Sequence, residues 1–162
     1  MVDKPILEKK FNENLDIEKR LKEGAILARL FVEIQGNDKE AAEKALQRTI
    51  FDSLASEQDV SLLNVKLYEV KELAKKEKVY SGVIEVKALF SNFRWFVNTL
   101  FRYGPSAIEI ISPESYTLKL GEMQSLISDV SGFSQSFSSQ IMAMLKDDER
   151  RKLYQKTLKE SK

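Results

Sequence analysis

The apolar positions along the chain change their spacing several times, and each spacing predicts an element. Over residues 6–23 they lie mostly four apart, which predicts a polar helix that ends near Gly24. From residue 25 to 36 (AILARLFVEIQG) they alternate with polar positions, as in a half-buried strand. The same alternation over residues 60–72 and 79–90 predicts two further strands, joined by the lysine-rich tip KELAKKEKVYSG.

A helix is expected between the first two of these strands. Asn37 follows Gly36, which ends the strand, and stands three residues before Glu40, close to the spacing of a capping box. Beyond it, one stripe at intervals of three and four is mostly apolar, which is typical of a helix packed on a core. The stripe consists of Ala42, Ala45, Leu46, Thr49, Ile50 and Leu54.

The phrase FRYGPSAIEIISP, residues 101–113, marks the end of a second helix and the start of a fourth strand. Ser91 is expected to cap this helix, Gly104 suits a left-handed C-cap, and Pro105 prevents continuation. The apolar burst at residues 107–111 then predicts a short strand. The helix carries a core-facing stripe of Phe93, Phe96, Val97, Leu100 and Phe101.

The element order over residues 27–111 is strand, helix, strand, strand, helix, strand. This order predicts an α+β fold, a ferredoxin-like sandwich with a four-stranded antiparallel sheet and two helices on one face. We therefore expect an N-terminal helical arm at residues 1–24, a ferredoxin-like domain at 25–116 and a long C-terminal helix at 117–162.

The C-terminal segment spaces its apolar residues at alternating steps of three and four. Three heptads are about the minimum for a coiled-coil seam, but the same pattern fits one amphipathic helix packed on its own domain. Serines recur between positions 125 and 139, where they would let another helix approach closely or form a solvated face. The seam consists of Met123, Leu126, Val130, Phe133, Phe137, Gln140 and Met144.

Composition excludes more chemistry than it suggests. The 162 residues carry 26 Lys and Arg against 25 Asp and Glu, so the net charge of +1 favours neither nucleic-acid nor membrane binding. Cysteine and histidine are absent, which removes thiolate and imidazole ligands and the usual general base. We therefore expect a protein without enzymatic activity, metal or cofactor.

The N-terminus, MVDKPILEKK, has no apolar core of the kind that signal peptides contain. No run in the sequence approaches the roughly 20 apolar residues of a membrane span. A cytoplasmic protein is the expectation.

The predicted sheet has a second face, opposite its two helices, that is too apolar to be left wholly exposed. Contiguous exposed apolar surface usually marks an interface. The C-terminal helix could cover this face in a monomer, or a second copy could cover it; we expect both to contribute, in a homodimer. Its apolar members are Phe31, Leu62, Tyr68, Val70 and Ile111.

The second helix offers another candidate surface on the side away from its phenylalanines. Arg94, Asn98 and Arg102 lie there, with Trp95 beside Arg94. Arginine next to an aromatic ring favours RNA stacking or a protein hot spot. Alternatively, Trp95 packs beneath a terminal helix. Tyr103 and Ser106 follow at the turn and are further outward-facing candidates.

The phrase YGPSAIEIISPE, between a Phe-rich helix and a long helix, resembles small uncharacterised archaeal proteins with a ferredoxin-like core. It is also similar to the ferredoxin-like C-terminal extension of WYL-type transcription regulators, whose winged-helix and WYL modules are missing here. The resemblance covers residues 80–116. It implies the fold and an archaeal cytoplasmic setting, with no activity attached.

The expected function is that of a non-enzymatic interaction or assembly module, which self-associates through the open sheet face and the C-terminal helix. Two alternatives stay open: an ACT-like small-ligand sensor that binds near residues 104–106, and an RNA or ribonucleoprotein partner that uses the second helix. The candidate surface residues are Phe31, Tyr68, Arg94, Trp95, Arg102, Tyr103, Ser106, Phe133 and Phe137.

Overall fold

The computed structural model describes residues 4–73 and 78–160 and has the α+β class that the sequence predicts. One sheet contains β1 (Leu7–Lys10), β2 (Ile26–Gly36), β3 (Val60–Leu67), β4 (Lys71–Glu72), β5 (Tyr80–Phe90) and β6 (Ala107–Ser112). The helices are α1 (Ile17–Lys22), α2 (Lys39–Gln47, continued by a π-helical turn, Arg48–Ser53, and a 3-10 turn, Leu54–Ser56), α3 (Phe93–Tyr103), α4 (Leu120–Met144) and α5 (Asp147–Glu160). Of the predicted lysine-rich tip, residues 74–77 lie outside the described residues.

The strands follow the order β1-β3-β5-β2-β6, and each pairing between described strands is antiparallel. The two central strands, β2 and β5, pair along their whole length, from Ile26–Phe90 to Gly36–Tyr80. The short β4 pairs with the start of β5. Because α2 and α3 both pack against β2 and β5, the sheet carries a helical layer on one face.

The main core lies between the sheet and this helical layer. Alternate residues of β2 and β5 point into it, and each fully buried aliphatic side chain contributes about 1.5–3 kcal/mol relative to an exposed one. The apolar stripe of α2 continues at four-residue steps through Ile50 and Leu54, both buried in the turns that follow the helix. Phe96 of α3 packs edge-on against Phe90, with ring centroids 5.1 Å apart.

Both helices of the layer begin one residue later than the sequence predicts. Asp38 rather than Asn37 caps α2, and Asn92 rather than Ser91 caps α3, each by accepting a hydrogen bond from the amide three residues on. Adjacent residues that are both good caps cannot be ranked by type alone. Ser91 instead donates its hydroxyl to Asp59.

The N-terminal segment is not the single helix that was expected over residues 6–23. Its first part, Leu7–Lys10, forms β1, which pairs with β3 from Leu7–Leu67 to Lys10–Asn64. Only Ile17–Lys22 is helical. A four-residue strand is too short to show a period, and its backbone groups find partners on β3 that no local pattern reveals.

The helix α1 packs on the sheet face opposite to α2 and α3. Leu27 and Leu89 pair across β2 and β5 and project from this second face, whereas their neighbours Ala28 and Phe90 point into the main core. Gly24 joins α1 to β2 with a φ of 100°, a conformation that favours glycine. The small cluster on this face consists of Ala25, Leu27 and Leu89, with Leu15, Ile17, Leu21 and Leu63 packed around them.

A β-bulge in β3 changes which leucine faces the main core. The register with β5 shifts between Leu62 and Asn64, so that Leu62 is buried in the main core and Leu63 packs in the α1 cluster. Strict alternation would place Leu63 on the same face as Val65 and Leu67, but the bulge inserts an extra residue and turns Leu63 to the opposite face.

Residues from Lys119 onward form a second compact unit, and residues up to Leu118 form the first. The second unit contains α4 and α5, so the single long C-terminal helix that was expected is interrupted. Leu145 adopts an extended backbone with ψ 146°. The carbonyl of Met142 accepts a hydrogen bond of 2.8 Å from Arg150 Nε. The acidic run Asp147–Glu149 favours a helix start, because carboxylates stabilise helix N-termini.

Within the described residues, none of the helices combines the length and the apolarity needed to span a lipid bilayer.

Candidate interaction surfaces

The sheet face opposite α2 and α3 is more polar than the sequence predicts. Leu62 and Val70, which were expected on this face, are buried in the protein interior. The central position is held by the buried carboxylate of Glu85. It accepts a hydrogen bond from Tyr68 Oη at 2.8 Å and forms ion pairs with Arg29 Nε at 3.2 Å and Lys66 Nζ at 3.4 Å.

This polar cluster extends to the edge of the sheet. Arg29 also pairs with Glu109 of β6, with 2.6 Å between Nη1 and Oε2. Each of these charged groups therefore has an opposite charge within 3.4 Å in the sheet, although Arg29 Nε makes an ion pair without a hydrogen bond. A buried carboxylate that keeps such partners avoids most of its desolvation cost. The open face is thus a cross-linked polar surface rather than a continuous apolar patch.

Phe31 and Tyr68 lie on the same face and line one shallow cavity. Both side chains are half-buried, and the cavity has a volume of about 360 Å³. Burial raises the pKa of Tyr68, and its hydrogen bond to Glu85 raises that pKa further. Tyr68 is therefore a neutral hydroxyl that is already engaged as a donor. The cavity is lined by Phe31, Tyr68, Glu69, Lys71, Leu73, Ser81 and Val83.

Ser106 has a structural role at the start of β6. Its amide nitrogen lies 2.7 Å from the carbonyl oxygen of Phe31, and its hydroxyl donates to the same oxygen at 3.1 Å. Gly104, two residues earlier, has the left-handed φ of 53° that the sequence predicts for a C-cap. The turn therefore ties the end of α3 to β2. Its use as a ligand-binding loop stays a prediction.

Arg102 and Tyr103 converge on Glu57, a residue that the sequence did not single out. Arg102 Nη1 forms an ion pair with Glu57 Oε1, and Tyr103 Oη donates to the same oxygen at 3.0 Å. The hydrogen bond from Arg102 lowers the pKa of Glu57, against an opposing effect of burial. Burial is the main cause that raises the pKa of Tyr103. Glu57 lies in the turn before β3, where no periodicity marks it.

The remaining predicted residues of α3 do not form one outward-facing row. Arg94 is exposed and Trp95 is half-buried, but Asn98 is only 8% exposed, so its predicted outward position is wrong. Thr99 is also buried, and its hydroxyl donates to the Trp95 carbonyl at 2.8 Å. The spacing of apolar residues identifies only the apolar residues of a buried helix face, so it does not identify Asn98 and Thr99 as buried. The RNA-binding alternative stays a prediction, with Arg102 engaged by Glu57.

The seam predicted on α4 divides into two parts. Leu126, Val130 and Phe133 are half-buried, whereas Phe137 is exposed. A second series at steps of three and four, which shares Met123, Phe137 and Met144 with the first, carries the exposed large apolar side chains. We call this series the α4 stripe: Leu120, Met123, Ile127, Phe137, Ile141 and Met144.

The exposure of the edge strand β6 was not predicted from the sequence. Ile108 and Ile110 were expected to enter the sheet, and they do, opposite Leu30 and Ala28 of β2. Both nevertheless remain about half exposed, since β6 ends the sheet and no further strand pairs with its outer edge among the described residues. Phe101, at the end of the α3 stripe, is also exposed. Alternation identifies a strand but does not show its place in the sheet.

The sequence of the chain matches a known protein family. The model of the MJ0538 family matches residues 27–156, which is more than half of the chain. This match supports the resemblance to small uncharacterised archaeal proteins; the similarity to WYL-type regulators stays a prediction. Neither a curated protein nor a solved structure matches the sequence.

Proposed function

The chain belongs to the MJ0538 family, and we propose that it is a non-enzymatic, self-associating protein-interaction module. The α4 stripe is its proposed main contact surface, in a homodimer. The observation that carries this proposal is the exposure of α4: among its 25 residues, all of which the structure describes, none is buried. Ile127 is 68% exposed and Met144 is 84% exposed, values that are unusual for large apolar side chains.

The spacing of the α4 stripe matches a coiled-coil seam. If Leu120 is placed at position a of a heptad, the other five members occupy a and d positions in turn, and Val130 and Ser134 complete the series. The helix is about 37 Å long and spans three and a half heptads. That is enough for a seam to form between two such helices.

The charge of α4 favours a second copy as the occupant. Its charged residues are Glu122 and Asp129, both at positions c, outside the seam. The flanking positions e and g carry no charge, so the surface attracts neither a basic nor an acidic partner. The absence of Lys and Arg from the helix also disfavours an anionic membrane surface. A helix whose seam and flanking positions are uncharged and rich in small residues is complementary to an identical helix. The flanking residues are Gln124, Leu126, Ser131, Phe133, Ser138 and Gln140.

The test is the mass of the full chain in solution, by size-exclusion chromatography with light scattering. The wild type should have twice the chain mass of 18.6 kDa. The double variant Phe137→Glu, Ile141→Glu should raise the dissociation constant at least about 100-fold, because each helix would bury two unpaired carboxylates in the seam.

A matched control carries the same charges off the stripe. Gln135→Glu with Ser139→Glu places two carboxylates on the same turns of α4, at positions b and f. This variant should keep the wild-type mass. A wild type that is monomeric at about 100 μM, or a control that dissociates as fully as the test variant, would contradict the proposal.

We also propose that residues 25–116 form a ferredoxin-like domain. The order β3-β5-β2-β6, with α2 between β2 and β3 and α3 between β5 and β6, supports this assignment. The strand β1, paired outside β3, is then an addition to that core. An experimental structure in which β6 does not pair with β2 would overturn it.

A further inference from the structure

The two edges of the sheet differ in how they are protected from pairing with another strand. The sheet ends at β1 on one side and at β6 on the other. Native proteins protect edge strands with charges, and with lysine above all. The sequence of β1, LEKK, contains three charged residues out of four, whereas β6, AIEIIS, contains only Glu109.

Apart from Glu109, the β6 edge is apolar and accessible. Ile108 is 47% exposed and Ile110 is 51% exposed, and both project from the sheet face that carries α2 and α3. At the end of the strand, Ile110 and Ile111 line a cavity of about 340 Å³. The carboxylate of Glu109 is held within its own sheet by Arg29 at 2.6 Å. An accessible strand edge with this composition is a ready template for pairing.

We propose that β6 pairs antiparallel with β6 of a second copy, across a two-fold axis. The resulting sheet would run β1-β3-β5-β2-β6 and then through the same strands of the partner in reverse. Both outer edges of this sheet would then be the lysine-bearing β1, so no unprotected edge remains and the assembly closes at two copies. A foreign peptide strand on β6 would instead leave its own outer edge open.

The chemistry of β6 is also complementary to itself. Residues opposite each other in an antiparallel pair project from the same face. With the axis at Glu109, Ile108 of one copy lies opposite Ile110 of the other, so the four side chains of Ile108 and Ile110 are paired. The two Glu109 carboxylates face each other, which costs about 0.2–1 kcal/mol as a like-charge pair. The Arg29 that each copy holds against its own Glu109 offsets that cost.

This inference rests on the proposed self-association but not on the α4 stripe. The test uses single cysteines in the full chain, which has no cysteine of its own. Under mild oxidation, Glu109→Cys should form the most disulfide-linked dimer among Ile108→Cys, Glu109→Cys and Ile110→Cys, because a residue on the two-fold axis lies opposite itself. Lys9→Cys, on β1, should remain monomeric under the same conditions.

A second measurement follows the mass of the uncross-linked protein. Ile110→Lys places a lysine on the β6 edge and should raise the dissociation constant at least about tenfold. Ile6→Lys is the matched control, since Ile6 is 54% exposed beside the other edge, and it should leave the mass unchanged. Thermal unfolding confirms that both variants are folded.

The results of these experiments distinguish the β6 contact from the α4 contact. A dimer that yields no disulfide at any of the three β6 positions, and that dissociates only in the Phe137→Glu, Ile141→Glu variant, overturns the β6 pairing and leaves the proposed function standing. A disulfide at Glu109→Cys that persists in that α4 variant supports the β6 pairing and removes α4 as the main contact. A monomeric wild type overturns both.

Discussion

Gly82 shows how a single residue can be required by packing that its own strand does not reveal. It lies in the central strand β5, opposite Ile34 of β2. A Cβ atom at this position would lie 2.7 Å from Val70 Cγ2 and 2.8 Å from Leu46 Cδ1. The segment after β3 and the helix α2 therefore approach the backbone of β5 through the space that a side chain would fill.

Gly82→Ala should destabilise the sheet unit by about 1–3 kcal/mol, because overpacking forces buried side chains out of their rotamers. Urea unfolding, followed by the fluorescence of the single tryptophan, measures this change. Gly121→Ala is the matched control, since a Cβ atom there meets nothing within 4 Å, and it should be neutral or slightly stabilising. Equal effects of the two substitutions would contradict the packing argument.

Glu57 is a second residue whose contribution to stability can be measured. Its pKa in the folded protein is lowered, first by the hydrogen bond from Arg102. It therefore contributes stability that is fully present above its unfolded pKa of about 4.3 and is lost as the pH falls through the folded value. Glu57→Gln should reduce the loss of stability between pH 6 and acidic pH, measured by urea unfolding across that range.

At the scale of elements, local signals placed the long elements well and the short ones poorly. The strands β2 and β5 and the helices α2 and α3 all lie where alternation and helical spacing predict them. The failures are β1, the bulge in β3 and the break between α4 and α5. Each is a stretch of a few residues, which is too short for a repeating spacing of apolar residues to show. Their hydrogen-bond partners lie elsewhere in the chain.

The cap of α2 gives an element-scale prediction that the sequence alone could not make. Asp38→Ala should destabilise the sheet unit by about 1 kcal/mol, because the Ala41 amide loses a hydrogen bond of 2.7 Å. Its neighbour provides the control: Asn37→Ala should have little effect, since Asn37 is exposed and does not cap the helix. Chemical unfolding of both variants distinguishes them. The reverse ranking would show that the helix starts at Asn37.

At the scale of the whole molecule, the near-neutral net charge and the uncharged α4 stripe lead to one expectation. Contacts without ion pairs are not weakened by screening, and salt strengthens apolar burial slightly. The dissociation constant of the homodimer should therefore change by less than about threefold between 50 and 500 mM salt. Sedimentation measurements at several salt concentrations test this.

The same titration separates self-association from the RNA alternative. Binding of a nucleic acid through Arg94 and Arg102 would weaken steeply over this range, because salt competes with phosphate contacts. A dimer that dissociates as salt is added would contradict the uncharged contact proposed for α4. It would point instead to the polar cluster around Glu85 as the interface.

The amino-acid sequence by itself determined the α+β class, the central strands, the layer helices and the Gly104 cap, because each depends on a local period or a local backbone requirement. It also located Phe137 and Met144 on a repeating apolar series. Only the tertiary structure decided which of two overlapping α4 series is exposed, which residues meet at Glu57 and Glu85, and which strands form the sheet edges. Those features depend on residues far apart in the chain, whose proximity is set by strand order and packing rather than by any spacing along the sequence.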